Sequence, residues 1–494
     1  MLILAVFFPI VAGFALLALR PKSRRVREVY VEGVTLATSL IVLACFVRRD
    51  LAPGTAFMLT PTIPVAFALD GVGGIFTALV AFLWPLAALY GFEYMEHAGG
   101  ENHFFAIYTV TYGVTLGIST AANMMTMYVF YEFLTLCTMP LVMHGSSREA
   151  LRAGRQYMTY SFFGAALGFV GVMIVTIYGD GGAFVMGGAL GEAFAAEHPL
   201  MLQIAYLCMF FGFGVKAAVF PLHAWLPTAS VAPTPVTALL HAVAVVKSGV
   251  FGVMRTTYFA IGAQLLRGTP GQAIAVILAS ATIVYGSAMA VREHHFKRRL
   301  AYSTVSNLSY IVMAVSLMTQ AGLVAGLTHM VFHALIKITL FYCAGAVQVR
   351  AERTQVEGLR GLSAVMPLTC AVYTVAALAL SGTPLLPGFV SKWMIGSAAV
   401  AAAADFPLAW LGLTALLISA VLTAVYLLSV AVSMYFRPFE PGEEAVAQHQ
   451  PGASLDPSYK MLLPFAVLIA AIVLCGLCSN AVVSAIAGAV GTVM

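Results

Sequence analysis

Four lysines interrupt stretches of sequence that otherwise carry no charge: Lys216, Lys247, Lys337 and Lys392 each lie inside a long apolar run, and Glu132 lies in another. The whole chain has only seven lysines, so most of them are placed this way. His223, His241, His329 and His333 sit at comparable positions. An ionisable group at membrane depth costs at least ~2.5–3.5 kcal/mol even on the lenient insertion scale, so a set of this size points to function and away from packing. The chemistry open to it is proton exchange. Histidine titrates near neutrality, and an amine taken out of water loses its preference for the charged form, so both can release and regain a proton. His329, His333 and Lys337 follow i, i+4, i+8 and therefore line one stripe of one helix, a ladder suited to proton relay. The plainer reading of such a stripe is polar glue between helices. As metal ligands the two histidines lack a third partner at useful spacing, and the neighbouring ammonium would repel a cation.

Glu132 and Lys216 form a natural pair. A carboxylate within a few ångströms favours the charged amine, and burial alone favours the neutral one, so the separation of the two groups decides whether the proton is held. His241 and Lys247 are six residues apart, which is roughly 240° around a helix, so the two need not face one channel. Lys247 is assigned to the relay, with His241 as a partner; His223 and Asn307 are further candidates.

The elements that must hold these groups follow from composition. Only 9% of the 494 residues are charged and 61% are hydrophobic, whereas a soluble protein carries about a quarter charged. Soluble domains and solvated disorder are both excluded, and a net charge of +5 with no basic patch argues against nucleic acid. With roughly 20 residues needed per crossing, fourteen helices are expected, near 2–20, 29–47, 68–91, 103–121, 122–143, 156–178, 200–226, 232–254, 271–291, 300–319, 323–348, 364–396, 406–436 and 461–491. Runs this long and continuously apolar disfavour a strand barrel. The first run has neither a basic leader nor a small-residue cleavage site and is expected to be retained as a span. The seven cysteines lie almost wholly in apolar runs; the CGLC pair, Cys475 and Cys478, is expected to be inert packing.

Loop charge tests the count. Connections 1–2, 3–4 and so on hold 17 Lys and Arg, from Arg20 to Lys460, and the alternate connections hold only Arg48, Arg49, Arg255 and Arg267. Basic loops face the cytoplasm, so both termini are expected outside. Lys216 and Lys392 are 176 residues apart and each stands beside a proline-bearing break, GVKAAVFPLHAWLP (214–227) and SGTPLLPGFVSKWMI (381–395). Spans 4–8 and 9–13 therefore read as two five-helix copies, each with an interrupted helix of the kind that marks a midplane transport site. Four regions follow: helices 1–3 (1–102), a first repeat (103–262), a second repeat (263–440) and a C-terminal loop with helix 14 (441–494).

No phosphate loop, no GxGxxG turn and no cysteine set for an iron–sulfur cluster is present, so no cofactor is expected in this chain and the driving energy must come from outside it. The segments GVKAAVFPLHAWLPTASVAPTPVTALLHAVAVVKSGVF (214–251), KRRLAYSTVSNLSYIV (297–312), HMVFHALIKITLF (329–341) and GTPLLPGFVSKW (382–393) resemble the antiporter-like subunits shared by respiratory complex I (NADH-quinone oxidoreductase), Mrp-type Na⁺/H⁺ antiporters and membrane-bound group 4 hydrogenases. The resemblance runs from span 3 to span 13. It implies an all-α membrane protein of fourteen helices with inverted five-helix repeats and broken helices 7 and 12. It makes Glu132 the span 5 carboxylate, Lys216 the broken-helix lysine, Lys247 the connecting residue, His329, His333 and Lys337 the span 11 relay and Lys392 the terminal lysine. Span 10 departs from span 5, with Ser306 and Asn307 in place of an acid. The chain stops soon after span 14, as in a central rather than a distal subunit. The resemblance implies other membrane subunits and peripheral iron–sulfur or redox subunits as partners, protons or Na⁺ as cargo, and a prokaryotic-type inner (plasma) membrane. The alternative it leaves open is a component of a stand-alone Mrp-type antiporter.

Overall fold

The computed structural model describes residues 1–48, 53–436 and 454–491. Arg49, Arg437 and most of the loop assigned to the C-terminal region lie outside the described residues. The chain is helical almost throughout. α1 (Leu2–Leu19) and α2 (Arg24–Arg48) precede a hairpin of β1 (Gly54–Thr60) and β2 (Ile63–Phe67). α3 (Gly71–Met95), α4 (Glu101–Ser119), α5 (Met124–Val142) and α6 (Arg148–Tyr178) follow, then the short α7 (Glu192–Glu197) and α8 (Pro199–Lys216). After a break come α9 (Trp225–Thr228), α10 (Thr234–Ala238) and α11 (Val245–Arg255), with π-helical turns at Leu239–Val243 and Thr256–Ile261. The rest is α12 (Ala263–Leu266), α13 (Pro270–Arg292), α14 (Phe296–Ser316), α15 (Gln320–Arg350), α16 (Pro367–Ser381), α17 (Pro387–Ala402), α18 (Ala409–Phe436), α19 (Tyr459–Leu477) and α20 (Ser479–Val490).

Among the described residues, eleven helical stretches are long and apolar enough to cross a membrane, or twelve if the bent 357–364/367–381 pair is one span. The expected count of fourteen is therefore met only in coarser form. α4 and α14 stand where spans 4 and 10 are expected but are too polar to pass the same test. Their sequences explain this: α14 opens FKRRLAYSTVSN, and both helices are buried among other helices, so their threonines and serines face protein instead of lipid. Those hydroxyls donate back to carbonyls one turn earlier, as Thr109 does to Phe105 O and Thr304 to Leu300 O. The hairpin has no counterpart among the expected elements.

The alternate connections gather at opposite ends. At one, Arg24 pairs with Glu28 and Glu96, Arg27 with Glu101, Arg350 with Glu93, and Lys460 with Glu28. At the other, Asn123 bonds Pro64 O, Arg267 bonds Met318 O and Gln320 bonds Gly491 O. Many of the basic residues expected in loops lie instead in the end turns of helices, as Arg24, Arg148, Arg292 and Arg350 do, and two of them are held by carboxylates of distant helices or loops. Lys460 lies in the first turn of α19 and is held by both oxygens of Glu28. Arg255 ends α11 fully buried, with Asp70 accepting from both of its terminal nitrogens at 2.5 and 2.8 Å.

Candidate functional site

α11 and α15 are among the most enclosed helices, and they carry the centre of the site: the stretch Thr234–Ile261 is wholly buried and Gln320–Arg350 nearly so. Where they face each other, Lys247 Nζ and His333 Nδ1 lie 2.7 Å apart, both side chains without exposure. One turn up the α15 stripe, the His329 ring stands 5.8 Å from that of His333 and its Nδ1 bonds Ser391 Oγ of α17 at 2.9 Å. One turn down, Lys337 donates to Leu300 O at 2.9 Å and to Ser303 Oγ on α14. The i, i+4, i+8 spacing thus places three groups on one line, each reaching a different neighbouring helix.

The two broken helices treat their lysines differently. Lys216 is the last residue of α8, so it precedes its break, whereas Lys392 lies in α17, after its break. The 176-residue offset aligns the lysines without aligning their place in the half-helices. A helix C-terminus leaves carbonyls free and favours cations. Lys392 Nζ uses this directly, donating to Leu380 O at 2.7 Å and Ser381 O at 3.1 Å at the end of α16. Lys216 Nζ instead crosses to α5, donates to Tyr131 O at 2.5 Å and sits 3.4 Å over the Tyr131 ring, a cation–π contact. Gly249 lets α11 press against this break: a Cβ there would stand 2.3 Å from Ala217 N.

Glu132 is near enough to Lys216 for the two charges to interact, but no ion pair joins them among the described residues, and Glu132 Oε1 is buried without a hydrogen-bond partner. His241 is also fully buried, and neither ring nitrogen has a partner; it packs on Phe341 at 4.8 Å and is not bonded to Lys247. Asn307 donates to Ser303 O at 2.7 Å, leaving Oδ1 unpartnered. His223 lies apart, against Phe220 and Tyr285, lining a polar cavity of about 470 Å³ with Arg152 and Arg298.

Several participants carry no signal in the sequence. Ser391 and Ser303 receive the relay bonds, and a buried hydroxyl cluster ties α13, α14 and α18: Ser287 and Ser306 are 2.8 Å apart, Ser306 and Ser419 3.0 Å, and Tyr310 donates to Ser419 at 2.7 Å. This cluster includes Ser306, one of the residues that replace the missing acid of span 10. Lys297, counted among the loop residues, is buried and donates to Ala232 O. Serine and threonine are common in buried helices, so only the fold separates these from structural hydroxyls. Beside Lys392 a cavity of about 600 Å³ opens between α17 and α18, lined by Gly382, Phe389 and Trp393. Between the bonded pairs the gaps exceed a hydrogen bond, so a proton moving along the line needs water or side-chain rotation to cross them.

A mostly helical membrane chain with this buried Glu/Lys/His line is an antiporter-like membrane subunit. The family described as NADH:quinone oxidoreductase/Mrp antiporter, TM, matches residues 121–423, an interval that holds every group from Glu132 to Lys392, and the chain belongs to this family. NADH-quinone oxidoreductase subunit N of Desulforudis audaxviator is 30% identical over 92% of this chain and 92% of its own. A probable K⁺/H⁺ antiporter component of Rhizobium meliloti is 33% identical over 67% of this chain, which covers only 33% of that longer protein. In solved structures, a chain of the membrane-bound sulfane sulfur reductase, an archaeal respiratory membrane complex, shares the fold with TM-score 0.86 at 24% identity, over 100% of this chain and 98% of that one.

Proposed function

We propose that this chain translocates protons as one membrane subunit of a multisubunit, redox-driven complex. The observation that carries the reading is the direct bond between Lys247 and His333 where two deeply buried helices face each other, flanked on the same line by Lys337 and His329. In this reading Glu132 and Lys216 load a proton from the first half, Lys247, His333, His329 and Lys337 pass it, and Lys392 delivers it in the second. His223, His241 and Asn307 assist. Fourteen crossings, α4–α11 and α13–α18 as two inverted copies, and the four regions 1–102, 103–262, 263–440 and 441–494 complete the architecture. Both termini face outward from a prokaryotic plasma membrane. The chain holds no cofactor, so electron transfer belongs to peripheral iron–sulfur subunits. The family supports the reading, since its members include quinone oxidoreductase subunits.

Proton uptake by vesicles carrying the purified complex tests it. Lys216→Ala and Lys392→Ala should each abolish translocation, and normal pumping by either variant refutes the relay. Co-purification decides the setting: companions with iron–sulfur clusters support the redox-driven complex, whereas small membrane subunits alone would make this chain part of a stand-alone Na⁺/H⁺ antiporter.

A further inference from the structure

Glu32 lies two turns into α2, and the line from Glu132 to Lys392 gives it no task. Its Oε2 is buried and has no hydrogen-bond partner among the described residues. Two donors on the adjoining helices are in the same condition, the indole Nε1 of Trp84 on α3 and the hydroxyl of Tyr108 on α4, both in side chains without exposure. Packing brings the three together. Ser39 of α2 donates to Ala81 O of α3 at 2.8 Å and lies 2.9 Å from the Tyr112 hydroxyl of α4. Trp84 stacks on Tyr112 at 4.8 Å and stands 5.4 Å from the Tyr108 ring. α2 and α4 run in parallel, because Arg27 meets Asn102 at their starts and Ser39 meets Tyr112 further on. Glu32 is seven residues before Ser39 and Tyr108 four before Tyr112, so both step along the same interface toward the Arg24 end. Tyr108 lies near enough to Glu32 and to Tyr342 of α15 for charges on them to be felt, and Tyr342, whose own buried hydroxyl is unpartnered among the described residues, stacks on Tyr90 of α3 at 3.8 Å. Tyr342 is five residues from Lys337, roughly 140° around α15, so it reaches the helix of the relay on another face, toward Tyr90 of α3.

An indole N–H can only donate, a carboxylate can only accept, and a phenol does both. Buried polar atoms of this kind are normally satisfied, and where protein offers no partner, water does. We propose that Glu32, Trp84, Tyr108 and Tyr342 hold a chain of water molecules that forms a protonatable side branch reaching α15, the helix that carries the relay. Where the branch leads rests on the relay reading above; that it holds water and a proton does not. The charged and titratable groups around Glu32 are otherwise engaged: Arg24 with Glu28 and Glu96, Arg27 with Glu101, Glu28 with Lys460, Glu93 with Arg350, and Tyr90 with Tyr342 O.

Infrared difference spectroscopy of the full-length chain in lipid, in H₂O against D₂O across pH, tests the site. The carbonyl band of a protonated carboxyl should disappear in Glu32→Gln and shift in Tyr108→Phe, which keeps the ring. Identical spectra for wild type and Glu32→Gln overturn the site. In vesicles of the intact complex, Glu32→Gln and Tyr108→Phe should each slow proton uptake several-fold, and the double variant no more than either single. Wild-type rates in both, with Lys216→Ala inactive, overturn the branch and leave the relay standing. If Lys216→Ala still pumps, the relay reading falls, and the infrared band alone decides the site.

Discussion

The pair formed by Asp70 and Arg255 allows a quantitative test of how the helix bearing Lys247 is held. Arg255 ends that helix, two turns beyond Lys247, with its guanidinium 4.6–4.9 Å from the rings of Phe184, Phe251 and Phe259 and no exposure to solvent. Asp70 bonds it through both carboxylate oxygens and also caps α3, accepting from Gly73 N at 2.7 Å. Removing one partner of a buried pair strands the other charge at a cost of about 3–5 kcal/mol. The Asp70 side chain is 37% exposed, so solvent screens part of its contribution and the low end of that range applies. Asp70→Ala should therefore destabilise by about 4 kcal/mol, about 3 kcal/mol from the stranded guanidinium and ~1 kcal/mol from the lost cap. Asp70→Asn keeps an oxygen for the cap and one neutral acceptor for the guanidinium, so a smaller loss of ~1–2 kcal/mol is expected. Denaturant unfolding of the full chain in detergent reads both. A loss within about 0.5 kcal/mol of wild type for Asp70→Ala refutes the reasoning, since that is the range of an ordinary surface substitution. Equal losses for the Ala and Asn variants would assign the whole effect to the guanidinium's need for a charge and none to the cap.

Lys247→Ala and His333→Ala should each reduce proton uptake in vesicles at least ~100-fold, the scale of one positioned proton-transfer group, and the double variant should be no worse than either single, because one bond joins them. Gly249→Val should cost about 1–3 kcal/mol in unfolding midpoint measurements by driving a side chain into the backbone at Lys216 and Ala217, and Gly33→Val, which meets nothing, should not. At the end where α3 meets α4, His144 bonds Gly99 O at 2.9 Å, and burial holds it below its ordinary range. Folding therefore favours the neutral ring, so its contribution is present above the unfolded value near ~6.5 and fades as pH falls through the lower folded one. Thermal unfolding at pH 7 and pH 5 should show a smaller difference in His144→Gln than in wild type.

What is legible in the sequence is whatever a nearly chargeless background makes conspicuous. Lys216, Lys247, Lys337 and Lys392 stand out because each breaks an apolar run, and the α15 stripe because its period matches a helix. Partners are not legible, since they are carbonyls and hydroxyls: Lys216 answers to Tyr131 O, Lys392 to the end of α16, and His329 to Ser391. Nothing in a sequence marks one serine among many as the acceptor for a distant lysine. Errors of depth have one cause. A hydropathy window cuts a span where charge begins, so Arg255, just past the expected end of span 8, falls to a loop, and Glu32, near the start of span 2, is passed over. In a membrane helix the terminal turns can be as buried as the centre when neighbouring helices enclose them, and then a charge near an end costs what a central one costs. The same reasoning that makes the four lysines functional candidates extends to Arg255 and Glu32. Among the described residues Arg255 has its counter-charge and Glu32 does not; that difference separates a structural ion pair from a site that must recruit water or a proton.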